Sequence, residues 1–256
     1  MNVLVCIKRV PATGGRIALT EDEQQIDTRF LGFTVSPHEE CAVEEAVRLI
    51  ERDGGTVVVL TLGPESAIEQ LQDAFAIGGD RGILLETDGR DWDPIATSAA
   101  IVDAVRAEQA SGTAFDLLLF GNEAADSGDY QVGIRVAHAL GLPCVTGVKS
   151  LEVADGRAVA KREDPGGAEV FEVVLPAVVT VREGINLPRY PSVPGRIKAK
   201  KKEVARIETV RNPTGIETIR LKVPPEQASE VQILGKGADA APAIVDLLQQ
   251  LGMVDR

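Results

Sequence analysis

The chain has 256 residues, 44% of them hydrophobic, with 39 acids against 27 bases, a formal net charge of −12 and three cysteines. That length suffices for one large domain, or one domain with an appendage, around a sizeable buried core. The acidity argues against the broad basic face that nucleic acid needs, and no apolar run approaches the ~20 residues required to cross a bilayer. Cys6, Cys41 and Cys144 are scattered without a Cys-x-x-Cys, so neither structural zinc nor a disulfide framework is expected.

The opening MNVLVCIKRVP has too short an apolar stretch for a signal peptide and reads as a first strand, which makes a cytoplasmic location the expectation. NVLVCIK (2–8) is continuously apolar and β-branched, the pattern of a strand buried on both faces. TVVVLTL (56–62), GILLE (82–86) and DLLLF (116–120) repeat it. Helices stand between them. SPHEECAVEEAVRLIERDGG offers Ser36 as N-cap, Pro37 at the first helical position, acids in the first turn and Gly54-Gly55 as terminator. PESAIEQLQDAFAIGG sets Ile68, Leu71 and Phe75 on one face before Gly78. DWDPIATSAAIVDAVRAEQA starts on Asp93 and Pro94, and DYQVGIRVAHALG closes at Gly141. Such alternation predicts an α/β fold, a mostly parallel sheet covered by helices on both faces.

Beyond Pro143 the pattern turns to hairpins. VTGVKSLEVADGRAVAKRE reads as two strands about an Asp155-Gly156 turn, and strand signals continue through GGAEVFEVVLPAVVTV to Val181. INLPRYPSVPGRIKAKKK (185–202) follows, where Pro188, Pro191 and Pro194 exclude helix interior and central strand. A loop of this length calls for a function or a partner. The tail is weakly patterned until an amphipathic helix at about 242–251, with Ile244, Val245, Leu248 and Leu251 on one side.

Parallel sheets bind ligands at the carboxyl ends of their strands, near the point where strand order reverses. No Gly-x-Gly-x-x-Gly follows the first strand and no Gly-Lys-Ser/Thr loop occurs, which disfavours ordinary dinucleotide and P-loop sites. GNEAADSGDYQVG (121–133) is the stronger candidate, because small residues and glycines run into a helix start. Successive backbone N–H groups and the helix dipole there favour a phosphate. Glu123, Asp126 and Asp129 would repel an anion if aimed at it, so they must turn away, cap the helix or bond a ribose. His38 and His138 have no nucleophile at a recognisable spacing, so a hydrolase is not indicated.

Together these stretches resemble the β subunit of electron transfer flavoprotein (ETF). The resemblance is carried by VLVCIKRVP, SPHEECAVEEAVRL, GPESAIEQLQDAFAIGGDRGI, the 121–133 loop and LPAVVTVREGINLPRYPSVPGRIKAKKKEV. Most specific is the order strand, Asn-x-Pro-Arg-Tyr, then Lys-Ala-Lys-Lys-Lys; after about residue 210 the resemblance is weak. It implies an electron carrier subunit without substrate turnover of its own, paired with an ETF α subunit that holds most of an FAD near the interface. It implies AMP in this subunit, bound by Cys6, Ser36, Pro37, His38, Glu39, Leu62 and the loop residues Gly121, Asn122, Glu123, Ala124, Ala125, Asp126, Ser127, Gly128, Asp129, Tyr130, Gln131 and Val132. Gln131 is the expected side-chain contact to the phosphate, and His38 would approach the flavin.

The resemblance further implies an α/β domain over 1–184, a recognition loop over 185–202 and a C-terminal arm over 203–256 that docks on the α subunit. The loop would receive flavin dehydrogenases, such as acyl-CoA dehydrogenases, with Ile185 as apolar anchor. Asn186, Leu187, Pro188, Arg189, Tyr190, Lys198, Lys200, Lys201 and Lys202 surround it. Electrons would leave through ETF-quinone oxidoreductase toward the respiratory chain. The residues themselves agree: an apolar anchor on a proline-stiffened loop loses little entropy on binding, and lysines steer acidic partners. Tyr130 and Val132 replace an amide and a hydroxyl of the family's AMP loop, and QVG (131–133) is nearer to electron-bifurcating relatives, so a second FAD in place of AMP is the alternative. An adenine-nucleotide-binding stress or hydrolase-like domain is another, but it would have no reason for the 185–202 segment.

Overall fold

The computed structural model describes residues 1–12, 14, 17–212, 218–225 and 232–254, divided between two units, Met1–Arg220 and Leu221–Arg256. In the first unit β1 (Asn2–Ile7) precedes a short antiparallel pair, β2 (Val10–Pro11) and β3 (Phe33–Thr34). Then α1 (Pro37–Asp53), β4 (Thr56–Gly63), α2 (Ile68–Ile77), β5 (Arg81–Glu86), α3 (Pro94–Ala110), β6 (Leu117–Gly121) and α4 (Val132–Leu140) alternate as the periodicity predicts. β7 (Cys144–Ala154), β8 (Arg157–Asp164), β9 (Gly167–Val174), β10 (Ala177–Val181), α5 (Val193–Ala199) and β11 (Val204–Glu208) complete it.

Nine strands form one sheet in the order β11-β5-β4-β1-β6-β10-β7-β8-β9. It is parallel from β11 to β7 and antiparallel across β7, β8 and β9. Alternate residues of each central strand feed opposite cores. Val3, Val5, Val57 and Val59 pack under α1 and α2. Leu4, Val58, Leu60 and Leu118 pack under α3 and α4. This is why the strands read as unbroken apolar runs instead of alternating ones. From β1 the chain moves outward to β4 and β5, then returns to β6 on the other side of β1. The strand order therefore reverses between β1 and β6, and the carboxyl ends of such strands are where sheets of this kind receive ligands.

Local chemistry sets the element ends. Asp93 Oδ1 accepts the amides of Ile95 and Ala96 at 2.9 and 3.0 Å, capping α3. Asp155 and Gly156 join β7 to β8 with φ of +51° and +73°, the left-handed pair that a two-residue hairpin turn demands.

One expectation needs correction, and two further segments find their place in the sheet. The strand signals over 166–181 resolve into two strands: β9 lies at the sheet edge against β8, whereas β10 enters the centre between β6 and β7. The prolines of 185–202 do not forbid a helix, because α5 starts on Ser192, whose Oγ accepts from the Gly195 amide at 3.1 Å. Pro194 falls in the first turn, where the missing N–H has no helical partner to lose. β11, at the start of the segment expected as an arm, pairs in parallel with β5 at one end of the main sheet.

In the second unit a short turn over Gly237–Ala240 leads into α6 (Ala241–Gln250), close to the expected tail helix, with Ile244, Val245 and Leu251 exposed. Residues 213–217, 226–231 and 255–256 of the expected arm lie outside the described residues. Among the described residues no helix is long and apolar enough to cross a membrane.

Candidate functional site

The switch point is built around Glu39, a buried carboxyl in the first turn of α1. Its Oε2 accepts the Lys8 amide at 2.9 Å, just past the end of β1. Burial pushes this carboxyl up to about 8. Gly121, at the end of β6, is required by close approach: a Cβ there would stand 2.6 Å from Glu39 Cγ. Lys8 then reaches forward, its Nζ 2.7 Å from Asp126 Oδ2. One strand end, one helix start and the 121–131 loop are thereby joined.

The loop closes largely on itself. The Gly128 amide donates to the Ala124 carbonyl at 2.8 Å and the Ala124 amide to the Asp129 carbonyl at 3.2 Å, with Gly128 at φ +66°. The Ser127 amide donates to Asp126 Oδ1 at 2.8 Å. Asn122 is fixed by its amide to the Val181 carbonyl and by the Thr180 hydroxyl, which donates to Asn122 Oδ1 at 2.7 Å. Glu123 accepts the Tyr130 hydroxyl at 2.6 Å, which pushes the phenol up, and lies 3.9 Å from His38 Nε2. His38 Nδ1 accepts the Glu183 amide at 3.0 Å, so the neutral ring carries its proton on Nε2, toward Glu123. Two of the three loop acids thus face protein groups: Asp126 faces Lys8 and Glu123 faces Tyr130.

Two side chains depart from their expected roles. Ser36 stands at the N-cap position of α1 but makes no side-chain cap; its hydroxyl donates to the Glu123 carbonyl at 3.4 Å. Gln131 does not turn back toward the loop, because its Oε1 accepts Arg135 Nε and Nη2 at 3.1 and 2.9 Å. α4 consequently begins without a side-chain cap, and its first-turn amides keep hydrogen-bonding capacity. A groove of about 660 Å³, lined by Ile95, Ser98, Val102, Gln131 and Ile134, borders this helix start on one side. A smaller one of about 270 Å³, lined by Asn122, Tyr130, Gly147, Arg162 and Arg182, borders it on the other. Leu62, Trp92 and Val132 pack on the apolar core of that face, and burial pushes the Cys6 thiol up. Lys8 and Arg182 were not singled out in the sequence, yet each is the first charged residue after a buried strand, which is the signal that would have found them.

The 185–202 segment leaves β10 beside this site. Ile185 is half-buried and packs on the core under α1, whereas Leu187 and Tyr190, at 91% and 96%, are exposed together with Val193 and Ile197. Asn186 and Arg189 point inward, not outward. Asn186 Nδ2 donates to the Cys41 carbonyl at 3.0 Å and to Glu45 Oε2 at 2.9 Å. Arg189 forks onto Glu44 and Glu51. Lys202 donates to the Gly79 carbonyl and is half-buried, which leaves Lys198, Lys200 and Lys201 as the exposed lysines.

A doubly wound α/β sheet with a strand-order reversal between β1 and β6 defines a class of ligand-binding domains. Within that class, residues 26–211 match the family described as the electron transfer flavoprotein domain. Over 258 aligned residues the chain is 34% identical to the electron transfer flavoprotein subunit beta of Bacillus subtilis, covering 97% of this chain and 98% of the relative. It is 36% identical to that of Syntrophomonas wolfei, covering 91% and 90%, and 38% identical to that of Mycobacterium leprae, covering 79% and 77%. The chain belongs to the electron transfer flavoprotein family.

Proposed function

We propose that the chain is the AMP-holding β subunit of a heterodimeric ETF, acting in the cytoplasm as an electron carrier and not as an enzyme. In this reading it pairs with an α subunit, partly through the exposed apolar side of α6. The observation that carries the nucleotide assignment is the uncapped start of α4 at the switch point. Amides of its first turn suit a phosphate, and Asp126 and Glu123 do not oppose one because they are bonded to Lys8 and Tyr130. Gly128, at positive φ with open space beyond it, leaves the loop free of a side chain at its turn. Val132 has no polar side chain and the Tyr130 hydroxyl is bonded to Glu123, so backbone donors carry the phosphate. Leu62 and the neighbouring apolar wall suit the base.

FAD, held mainly by the α subunit, supplies reversible electron exchange when bound; His38, steadied by the Glu183 amide, is the residue of this chain that faces it. Leu187 and Tyr190, with the neighbouring exposed Val193, form the apolar surface that meets a flavin dehydrogenase such as an acyl-CoA dehydrogenase, while Ile185 ties the start of the loop to the core. Electrons pass on through ETF-quinone oxidoreductase to the respiratory chain. The test is co-expression with the neighbouring α-subunit gene, followed by absorbance spectroscopy and chromatography of the nucleotides released on denaturation. One AMP and one FAD per 1:1 heterodimer are expected. A stoichiometric flavin on this chain alone would overturn the division of labour, and two FAD without AMP would replace the reading with an electron-bifurcating one.

A further inference from the structure

We infer that Arg189 is a positioning residue, one that clamps residues 186–190 onto α1 so that Leu187 and Tyr190 are presented in a single conformation. The inference rests on reading 185–202 as the docking loop. Glu44 and Glu51 are seven residues apart, two helical turns, and so lie on one face of α1. The Arg189 guanidinium spans both. Nε is 2.9 Å from Glu44 Oε2, Nη2 is 3.0 Å from Glu44 Oε1, and Nη1 and Nη2 lie 2.6 and 2.8 Å from the two oxygens of Glu51. The Arg189 backbone amide adds a further tie to Glu44, at 3.1 Å.

Three residues earlier, Asn186 bonds the Cys41 carbonyl and Glu45. The loop supplies these donors and α1 the acceptors, with the proline at 188 stiffening the span between them. The side chains left over, Leu187 and Tyr190, are almost wholly in solvent. An apolar tip fixed in advance loses less conformational freedom on binding than a mobile one. Only a planar fork reaches two carboxylates at once; a lysine ammonium is a single point charge. Arg189 therefore acts on a partner through the loop and not by touching it.

The experiment uses the heterodimer and three variants: Arg189→Lys, Glu44→Gln/Arg189→Gln, and Leu187→Ala/Tyr190→Ala. The paired Gln variant avoids leaving Glu44 buried without its cation. Amide hydrogen exchange is followed at residues 186–190, and electron transfer is measured from an acyl-CoA dehydrogenase reduced by its acyl-CoA. In both Arg189 variants exchange should accelerate about tenfold or more across the loop, with β1, β4 and β6 unchanged. The KM of the dehydrogenase for the heterodimer should rise about tenfold while its kcat is retained. Unchanged exchange in both variants, or faster exchange with an unchanged KM, overturns the inference. The Leu187/Tyr190 variant should raise KM without altering exchange. If its KM does not move, the docking reading fails, while the exchange data still decide whether Arg189 fixes the loop.

Discussion

Two loops leave the carboxyl edge of the sheet from adjacent strands, β6 and β10, and each leads into a helix. They are held in opposite ways. Residues 121–131 close through their own backbone, and the helix that follows has no side-chain cap. Residues 186–192 make few backbone bonds of their own and are held by side chains donating to α1, while Ser192 caps the helix that follows. The first arrangement leaves backbone donors unspent, which suits an anionic ligand. The second spends its polar groups inward and leaves apolar side chains outside, which suits a protein surface. Neighbouring strand ends thus differ in which groups their hydrogen bonds leave free.

The comparison breaks first at Glu39, which supports the 121–131 loop through Lys8. Its carboxyl is held at about 8 by burial, whereas an unfolded glutamate titrates near ~4.3. The folded state therefore keeps a proton that the unfolded state has lost between those values. Stability from this group is greatest below the unfolded value and declines as pH rises toward about 8. The decline amounts to about 1.4 kcal/mol for each pH step of one within that window. Glu39→Gln should flatten it, seen as thermal midpoints recorded from pH 5 to 8.5. Parallel slopes in the two proteins would show that Glu39 is not the group responsible.

A smaller effect is expected at Gly128, which sits at φ +66° with no atom within 4 Å of where a Cβ would stand. Gly128→Val should cost roughly 1–2 kcal/mol of backbone strain without any clash. It should also lower AMP retained through purification, and Gly128→Asn should fall in between. Full AMP content and full stability in the valine variant would place the phosphate elsewhere. Least of all, Lys200→Gln with Lys201→Gln should leave stability unchanged and slow association with the dehydrogenase a few-fold at low salt, the difference vanishing at high salt. A fall in thermal midpoint would instead mark those lysines as structural.

Much of the fold was legible because its signals are local. Continuous apolar runs marked β1, β4, β5 and β6; Asp93, Gly141 and Asp155-Gly156 marked ends and turns within a few residues of where they act. β11 escaped because its residues are mostly exposed, and its strand conformation comes from the free edge of β5. α5 escaped because prolines were weighed without their position in the turn. At the site, the 121–132 loop was visible from its small residues and the following helix. The inward role of Arg189 was not, since Glu44 lies 145 residues away along the chain.

The amino-acid sequence by itself determined the layered α/β class, the alternation of the longer strands and helices from β1 to α4, and membership of the ETF family. Those depend on periodicity, caps and motifs that act over a handful of neighbours. Only the tertiary structure decided that β10 lies between β6 and β7, that Lys8 faces Asp126, and that Ile185 packs on the core while Leu187 and Tyr190 stay exposed. These are outcomes of packing between segments remote in sequence. Which polar group is satisfied by which partner depends on distances that local patterning does not encode.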